Sequence, residues 1–374
     1  MRVSTRTAPA WAGLPAAQQP HWLAHPARSR VLDTLAGLEP LVTPAELDTL
    51  RGALAEVAAG RARVLQAGDC AESFHGCTPG ATAARLEVLD RLADALAERT
   101  GAPVVRVGRI AGQFAKPRSS PTELCGGVTL PAFRGHMINS EVPTAAARAH
   151  DPRRMVWAYQ ASARTGAWVA SARVGRAGPW TSHEALVLDY EAGLVRTDPA
   201  SGKPFLGSTH LPWVGERTRQ PENAHVRLLG AVTNPVGCKV GPTVAPPDLV
   251  RLCALLDPER LPGRLVLIAR MGAGSIERVL PGLVAAVAGG GHRPVWLCDP
   301  MHGNTVTAAS GRKTRYVATI IAEAAGFARV MERTGQFAGG LHLETAPGVT
   351  ECVGGAVPDE RRSRLTTRHC AIRG

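Results

Sequence analysis

The stretch that decides the fold reads Val295-Trp296-Leu297-Cys298-Asp299-Pro300-Met301-His302-Gly303-Asn304-Thr305. Its apolar first part stops abruptly at a polar cluster that contains a carboxylate, an imidazole and a carboxamide. A buried strand that opens into a site at its carboxyl end has this pattern. Seven other stretches of the sequence repeat the order of an apolar strand followed by polar groups. We therefore expect a ring of parallel strands whose ends meet at one site.

The eight predicted strands alternate with segments of helical periodicity. The strands or strand ends are Val64–Gly68, Val104–Val107, Trp180–Glu184, Trp213–Arg219, Pro235–Gly241, Arg264–Ala269, the opening stretch and Gly340–Thr345. The helical segments are 44–59, 81–98, a stretch from about residue 152, 279–289 and 315–331. This order predicts an α/β fold, a (β/α)8 TIM barrel over residues 61–374 with an N-terminal extension of arm and helices over residues 1–60. A doubly wound sheet is the alternative, but it would place its ligand at one switch point instead of using all eight strand ends.

Length and composition limit the cellular setting. With 374 residues, of which 45% are hydrophobic and 20% charged, the chain can bury a large core. No apolar run approaches the ~18–20 residues of a membrane span. The N-terminus lacks the basic-then-apolar order of a signal peptide. We therefore expect a cytoplasmic location and no membrane partner.

Basic residues exceed acidic ones by 12, which raises the question of a nucleic-acid partner. However, the Arg and Lys residues are scattered. The seven Trp, three Tyr and six Phe residues form no basic, aromatic-interleaved stripe on which bases could stack. The composition favours an Arg-rich surface with some of its cations in an anion-binding site. We expect no nucleic-acid partner.

The predicted strand ends bring several cations to one face of the barrel: Arg109, Lys116, Arg118, Arg217, Lys239, Arg270 and Lys313. They could hold two phosphorylated substrates, or one phosphate and one carboxylate. The same ends supply Cys70, His302 and Glu344, a sulfur, nitrogen and oxygen set that suits manganese, cobalt, iron or zinc. The eight cysteines have no close paired spacing, so we expect buried thiols with one or two metal ligands instead of a disulfide framework.

Eight motifs stand in order between Gly68 and Gly355. They are Gly68-Asp-Cys-Ala-Glu72, Arg109-Ile-Ala-Gly-Gln-Phe-Ala-Lys-Pro-Arg-Ser119, Ser182-His-Glu-Ala-Leu-Val-Leu-Asp-Tyr-Glu191, Gly215-Glu-Arg-Thr-Arg-Gln220, Asn234-Pro-Val-Gly-Cys-Lys239, Arg270-Met-Gly272, Cys298-Asp-Pro-Met-His-Gly-Asn-Thr305 and Val349-Thr-Glu-Cys-Val-Gly-Gly355. With them the chain resembles the class II (plant-type) 3-deoxy-D-arabino-heptulosonate 7-phosphate (DAHP) synthases, which open the shikimate pathway.

The resemblance implies a transferase that condenses phosphoenolpyruvate with erythrose 4-phosphate and depends on a divalent metal, with manganese as the first candidate. It implies that phosphoenolpyruvate is surrounded by Arg109, Glu216, Arg217, Lys239 and Arg270. The sugar phosphate would be approached by Lys116, Pro117, Arg118 and Ser119, and Glu184 and Lys313 are further substrate-binding candidates. Cys70, His302 and Glu344 match three of the family's four metal ligands. The resemblance also favours a homodimer or a higher homo-oligomer.

Arg109, Lys239 and Glu216 are the candidates for catalysis within this implied site. Lys239, or a water molecule held by Glu216, could move the protons of the reaction. The cations would stabilise the charge of the phosphate and carboxylate groups throughout.

The sequence departs from the family near the C-terminus. The family's fourth metal ligand is an aspartate in a Cys-Asp-Pro-Arg-Leu-Asn segment, where this chain has Cys370-Ala371. Three interpretations compete: three ligands and water suffice, His369 or Asp299 substitutes, or the protein is a non-catalytic relative that binds phosphorylated ligands. A disulfide between Cys70 and Cys370 competes with two separate thiols, which a reducing cytosol favours.

Two further departures concern regulation. His136 stands where the family has an aspartate, and the region 160–182 is shorter than in long members, which carry helices there that bind aromatic amino acids as feedback inhibitors. The hypothesis is an unregulated copy that serves secondary metabolism. Its acceptor could be erythrose 4-phosphate, the imino analogue or another phosphorylated aldehyde.

Overall fold

The computed structural model describes residues 11–173, 178–307, 313–347 and 352–353. The helices are α1 (Arg28–Ala36), α2 (Pro44–Ala58), α3 (Pro79–Thr100), α4 (Ala145–Arg148), α5 (Arg154–Ala172), α6 (Leu188–Gly193), α7 (Ala224–Gly230), α8 (Pro246–Leu256), α9 (Ile276–Gly289) and α10 (Val317–Arg333). The strands are β1 (Arg63–Gly68), β2 (Val104–Arg109), β3 (Thr122–Cys125), β4 (Val128–Pro131), β5 (Trp180–Glu184), β6 (Val195–Thr197), β7 (Pro204–Leu206), β8 (Leu211–Val214), β9 (Val236–Val240), β10 (Leu265–Ala269), β11 (Val295–Cys298), β12 (Val306–Thr307), β13 (Lys313–Tyr316), β14 (Ala338–Glu344) and β15 (Cys352–Val353).

Eight strands pair in parallel and close a barrel in the order β1-β2-β5-β8-β9-β10-β11-β14. Spatial order follows chain order, and β14 returns to pair with β1 from Val64↔Gly340 to Gly68↔Glu344. Helices lie between successive barrel strands, from α3 after β1 to α10 after β11. The (β/α)8 prediction is confirmed, and each of the eight predicted strands overlaps a strand of the barrel. The doubly wound alternative is wrong, because the sheet is closed.

Alternate residues of each barrel strand belong to two different cores. On β10, Leu265 and Leu267 pack outward against the helices α8 to α10, whereas Val266 and Ile268 belong to a second cluster inside the barrel. This alternation follows from the two-residue period of a strand, which sends successive side chains to opposite faces. Both faces are apolar, as is expected of a parallel sheet covered by helices.

Helix α2 belongs to the inner core. Its residues Leu50, Leu54 and Val57 pack in the same cluster as the interior side chains of the barrel strands. A capping box starts this helix: the Thr43 side chain accepts from the Glu46 backbone, and the Glu46 carboxylate accepts from the Thr43 backbone. Since the polar groups occupy the carboxyl ends of the strands, α2 covers the opposite end of the barrel. Helix α2 of the N-terminal extension is therefore part of the barrel's packing.

Several small elements were not predicted. An antiparallel hairpin, β3–β4, follows β2, and Gly126 and Gly127 form its turn with φ of 55° and 82°. The pair β6–β7 and the strands β12, β13 and β15 also were not predicted, because such short segments have little periodicity. The predicted helix 315–331 begins at Val317, after β13. In the described parts of the chain, no helix combines the length and apolarity needed to cross a membrane.

Candidate active site

The side chains that the sequence proposed for substrate or metal all line one cavity of about 560 Å³ at the carboxyl ends of the barrel strands. They are Cys70, Arg109, Lys116, Arg118, Ser119, Glu184, Glu216, Arg217, Lys239, Arg270, His302, Lys313 and Glu344. These residues lie at strand ends or in the segments that follow them, and parallel strands bring such segments to one face. The structure thus brings the whole set together, while the role of each residue stays a prediction.

The cavity is strongly cationic. Its described lining carries eight Lys and Arg side chains against the three carboxylates of Glu184, Glu216 and Glu344. Cations grouped in a concave, partly desolvated site attract polyanions and stabilise developing negative charge. The arrangement suits ligands with several phosphate or carboxylate groups.

A hydrogen-bonded chain through the barrel interior fixes Arg109. Its Nη1 lies 3.2 Å from His342 Nε2, His342 Nδ1 lies 2.8 Å from Gln66 Oε1, and Gln66 Nε2 donates to Ser182 Oγ at 3.1 Å. Because a guanidinium only donates, His342 accepts at Nε2 and carries its proton on Nδ1. Burial, together with the charges of Lys239 and Arg109, lowers the pKa of His342 well below its ordinary value. A neutral imidazole therefore orients the Arg109 guanidinium.

Asp299 lies behind His302 and Lys239 and is fully buried. Its Oδ2 is 2.7 Å from His302 Nδ1 and 2.9 Å from Lys239 Nζ, and its Oδ1 is 2.9 Å from the same His302 nitrogen. Burial raises the pKa of the Asp299 carboxyl, but the charges of His302 and Lys239 outweigh it and hold that pKa well below its usual range. Asp299 is thus an ionised carboxylate that orients both neighbours, and it does not face the cavity as a substitute metal ligand.

The other nitrogen of His302 faces Glu344. His302 Nε2 lies 2.8 Å from Glu344 Oε1, and the Glu344 oxygens also contact Arg109 Nη2 at 3.3 Å and Arg315 Nη2 at 3.1 Å. Although burial raises the pKa of Glu344, the charges of His302 and the two arginines hold it well below the ordinary value. Since Asp299 holds the Nδ1–H, only a second proton or a cation can join Nε2 to the Glu344 carboxylate.

The donor chemistry of this pair fits a divalent metal. In many metal sites, a histidine binds the metal through one ring nitrogen and donates its other N–H to a carboxylate. A second carboxylate beside the free nitrogen can bind the same metal. Cys70, the predicted third donor, lines the same cavity. Within the described residues, no group of three or more His, Cys, Asp or Glu side chains is arranged as a complete metal site. Residues 369–371 lie outside the described residues. The fourth metal ligand and the Cys70–Cys370 disulfide therefore stay predictions.

Glu72 anchors the loop that carries Arg109 and Lys116. Its carboxylate accepts from the backbone N–H groups of Ala111, Gly112 and Gln113 at 3.1, 2.8 and 2.9 Å. Burial raises the pKa of Glu72. Three consecutive backbone donors around one buried carboxylate fix the course of the chain after β2.

Glu323, on α10, fixes the loop after β10 by accepting hydrogen bonds from its backbone, as Glu72 does for the loop after β2. It accepts from the backbone of Met271 and Gly272 at 2.8 and 2.9 Å and from the Asn304 side chain. Asn304 in turn accepts from Ala273 N at 3.0 Å. The loop that follows β10 is thereby joined to the loop that carries His302. Burial raises the pKa of Glu323 to about 7.

Two glycines make room for the acidic residues of the cavity. A Cβ at Gly215 would lie 2.1 Å from Glu184 Oε1, and a Cβ at Gly241 would lie 2.6 Å from Glu216 Oε1. Burial raises the pKa of Glu184, although Lys239 and other nearby cations oppose this shift. The absence of a side chain at Gly215 and Gly241 therefore leaves space for the Glu184 and Glu216 carboxylates in the cavity lining.

Sequence reasoning did not propose two side chains that line the cavity. Arg315 lines the cavity and joins Met301 O to Glu344, and Trp213 lines it below the Arg109 guanidinium. A signal for Arg315 existed, since it follows Lys313 at the two-residue period of a strand. By contrast, His136 is buried against Phe74 and Phe133, away from the cavity lining.

The protein is a TIM barrel with a cation-rich cavity at the carboxyl ends of its strands. The comparisons with known proteins specify it further. The Class-II DAHP synthetase family matches residues 6–179 and 166–371. The chain belongs to this family, whose members are carbon–carbon bond-forming enzymes.

Three curated relatives support the assignment over most of their length. A probable phospho-2-dehydro-3-deoxyheptonate aldolase of Pseudomonas fluorescens is 47% identical over 352 residues, covering 91% of this chain and 87% of the relative. The phospho-2-dehydro-3-deoxyheptonate aldolase of Streptomyces coelicolor is 39% identical over 410 residues, with 95% and 91% covered. The corresponding enzyme AroG of Mycolicibacterium smegmatis is 39% identical over 399 residues, with 91% and 85% covered.

Proposed function

We propose that this protein condenses phosphoenolpyruvate with erythrose 4-phosphate, or a close phosphorylated aldose, to give a 3-deoxy-heptulosonate 7-phosphate and inorganic phosphate with the help of a divalent metal. The observation that carries the proposal is that, in the described part of the chain, one cation-rich cavity is lined by all the substrate candidates and by Cys70, His302 and Glu344. The names of the three relatives support the same reaction.

The cavity offers two regions for anions. Arg109, Lys239 and Arg270 stand at the ends of β2, β9 and β10, close to the His302–Glu344 pair, and are assigned to phosphoenolpyruvate. Lys116 and Arg118 come from the long loop after β2 and are assigned to the phosphate of the aldose. Charge-assisted hydrogen bonds from these groups would orient the two reactants toward each other.

His302 and Glu344, with Cys70, would hold the metal, which when bound would act as a Lewis acid on the aldehyde oxygen. A bond forms between C3 of phosphoenolpyruvate and the aldehyde carbon, and positive charge develops at C2. Water adds its hydroxyl to C2, and its other proton goes to the former aldehyde oxygen, which becomes a hydroxyl. The C2–O bond to phosphate then breaks, the C2 hydroxyl gives its proton to the departing phosphate, and a C2 ketone and inorganic phosphate remain. The cationic lining stabilises the phosphate and carboxylate groups throughout.

Lys239 is placed to carry a proton in this sequence. Its ammonium is held by Asp299 at 2.9 Å and lies 3.5 Å from His302 Nδ1, so it is fixed at the edge of the proposed metal site. Glu216, held by Arg219 at 2.8 Å, is the candidate for positioning the attacking water. General acid–base help of this kind contributes about 10²–10⁴-fold to a rate.

The experiment is a measurement of phosphate release from phosphoenolpyruvate and erythrose 4-phosphate. Chelated protein is assayed first, and then with manganese, cobalt, iron or zinc added back. Turnover that returns with metal supports the proposal and shows that Ala371 is tolerated. Protein that binds phosphoenolpyruvate but shows no turnover with any metal would favour a silent phosphate-binding homologue.

We also propose that this copy lacks feedback control by aromatic amino acids and serves a secondary pathway. Helix α5 ends at Ala172 and β5 begins at Trp180, so only residues 173–179 separate these two elements. The Streptomyces alignment runs over 410 positions, more than the 374 residues of this chain, so that relative carries segments without a counterpart here. Strong inhibition by tryptophan or phenylalanine in a dose-response assay would contradict this proposal.

A further inference from the structure

The N-terminal arm, residues 11–27 before α1, contacts the loop of residues 116–120, which we assign to the phosphate of the acceptor aldose. Gln18 Nε2 donates to the backbone carbonyl of Arg118 at 3.2 Å, and the backbone N–H of Arg118 donates to Gln18 Oε1 at 3.0 Å. The Gln18 carboxamide thus pairs with both the N–H and the C=O of a residue 100 positions away, as the backbone of a neighbouring strand would. The pair fixes the backbone of Arg118 in the lining of the cavity.

Arg134 ties the same two segments together by another route. Its guanidinium donates to the backbone carbonyls of Gln18 and Gln19, and its own carbonyl accepts from Lys116 N at 2.9 Å. The arm therefore contacts the loop directly through Gln18 and indirectly through Arg134. The two contacts lie on either side of Pro117, so they hold the backbone of both basic residues that the loop brings to the cavity.

The arm itself is anchored to the barrel. Gln19 Nε2 donates to Leu186 O at 2.8 Å, and Gln19 Oε1 accepts from Leu188 N at 3.1 Å. Both partners belong to the segment that follows β5. The neighbouring glutamine thus attaches the arm to the rigid scaffold, so that Gln18 has a fixed base from which to reach the loop.

The backbone of Gln18 is strained. Its φ is +59°, in the left-handed region that non-glycine residues rarely occupy. A strained conformation persists only when its surroundings enforce it, and such positions concentrate at functional sites. Here the strain accompanies the double contact with Arg118.

From these contacts we infer that Gln18 is a positioning residue for the phosphate of the acceptor aldose, acting through the backbone of the Lys116–Ser120 loop. The N-terminal arm is then a part of the acceptor subsite. This inference rests on the proposed function for the identity of the ligand. The contact between arm and loop stands apart from it and can be tested separately.

The test uses the full chain with Gln18→Asn and Gln18→Gly. Both residues tolerate the left-handed backbone, but asparagine is too short to reach Arg118 and glycine has no side chain. Tyr159→Phe is the control, because it removes one hydrogen bond of similar length, from Tyr159 to Glu39 O at 2.9 Å, that involves neither Gln18 nor residues 116–120. Hydrogen exchange of peptides covering residues 114–120 and steady-state kinetics with both substrates are measured for each.

We expect faster exchange in residues 114–120 for both Gln18 variants and none of this change for Tyr159→Phe. The KM for erythrose 4-phosphate should rise about tenfold, as for a weakened charge-assisted contact. The KM for phosphoenolpyruvate and kcat should stay within about twofold. Unchanged exchange, or equal rises of both KM values, would overturn the inference. A wild-type protein without turnover would refute the proposed function, and the exchange data would still decide whether Gln18 holds the loop.

Discussion

Asp299 and His302 form the central pair of the cavity, with Asp299 Oδ2 2.7 Å from His302 Nδ1. The same carboxylate oxygen lies 2.9 Å from Lys239 Nζ, so one buried group orients both an imidazole and an ammonium. Because Asp299 accepts a hydrogen bond from Nδ1, Nε2 is the nitrogen that faces Glu344, at 2.8 Å from its Oε1. The proposed metal site therefore depends on a residue that does not itself face the cavity.

Asp299→Asn should weaken metal binding by about 10- to 100-fold, the usual cost of changing a carboxylate behind a histidine ligand. The measurement is calorimetric titration of chelated protein with manganese or cobalt. Asp48→Asn is the matched control, since the Asp48 side chain is 73% exposed on α2. Unaltered metal affinity in Asp299→Asn would show that the pair does not support a metal site.

Arg217→Met tests the assignment of the cavity's cations to phosphoenolpyruvate. Arg217 is exposed and lines the cavity, so its removal should leave folding almost unchanged. Loss of one hydrogen bond to a charged ligand should lower kcat/KM by about 10- to 100-fold. Arg227→Met, on α7, serves as the control of equal charge change. Similar kinetics for the two variants would remove Arg217 from the substrate site.

Gly215→Ala should displace Glu184, because the added Cβ would lie 2.1 Å from Glu184 Oε1. We expect a loss of about 1–3 kcal/mol in the free energy of unfolding, as for other overpacked sites, and weaker substrate binding. Gly166→Ala is the counterpart, since a Cβ there meets nothing within 4 Å on α5 and should stabilise that helix by about 0.5–1 kcal/mol. Urea denaturation measures the free energy of unfolding, which should fall for Gly215→Ala and rise for Gly166→Ala. Equal stability of Gly215→Ala and the wild type would refute the clash.

Glu323 should give the folding stability a pH dependence. Burial raises its pKa from 4.5 to about 7, so between these values the folded protein binds a proton that the unfolded chain has released. The Glu323 contribution is therefore full below pH 4.5 and is lost as the pH rises to about 7. The loss is about 3 kcal/mol in the free energy of unfolding.

Denaturation at several pH values between about 4.5 and 7.5 measures this slope. The free energy of unfolding of Glu323→Gln should not show this change with pH. Glu332→Gln, an exposed position on the same helix α10, should show it as the wild type does. Parallel pH profiles for the wild type and Glu323→Gln would contradict the raised pKa.

The sequence by itself determined the barrel and most of the side chains that line its cavity. The pattern of an apolar strand followed by polar residues is local, so it located β10 as Arg264–Ala269 where the structure has Leu265–Ala269. Once eight parallel strands close, their carboxyl ends must share one face. For that reason the sequence alone could assign residues as far apart as Cys70 and Glu344 to one cavity.

Only the tertiary structure decided which side chains support that site. Gln66 meets His342 because β1 and β14 close the barrel in one register, and neither segment alone encodes that register. Gln18 meets Arg118 because the arm folds back across the loop after β2. Such contacts depend on the packing of segments distant in sequence, whereas strand patterns depend on neighbours along the chain.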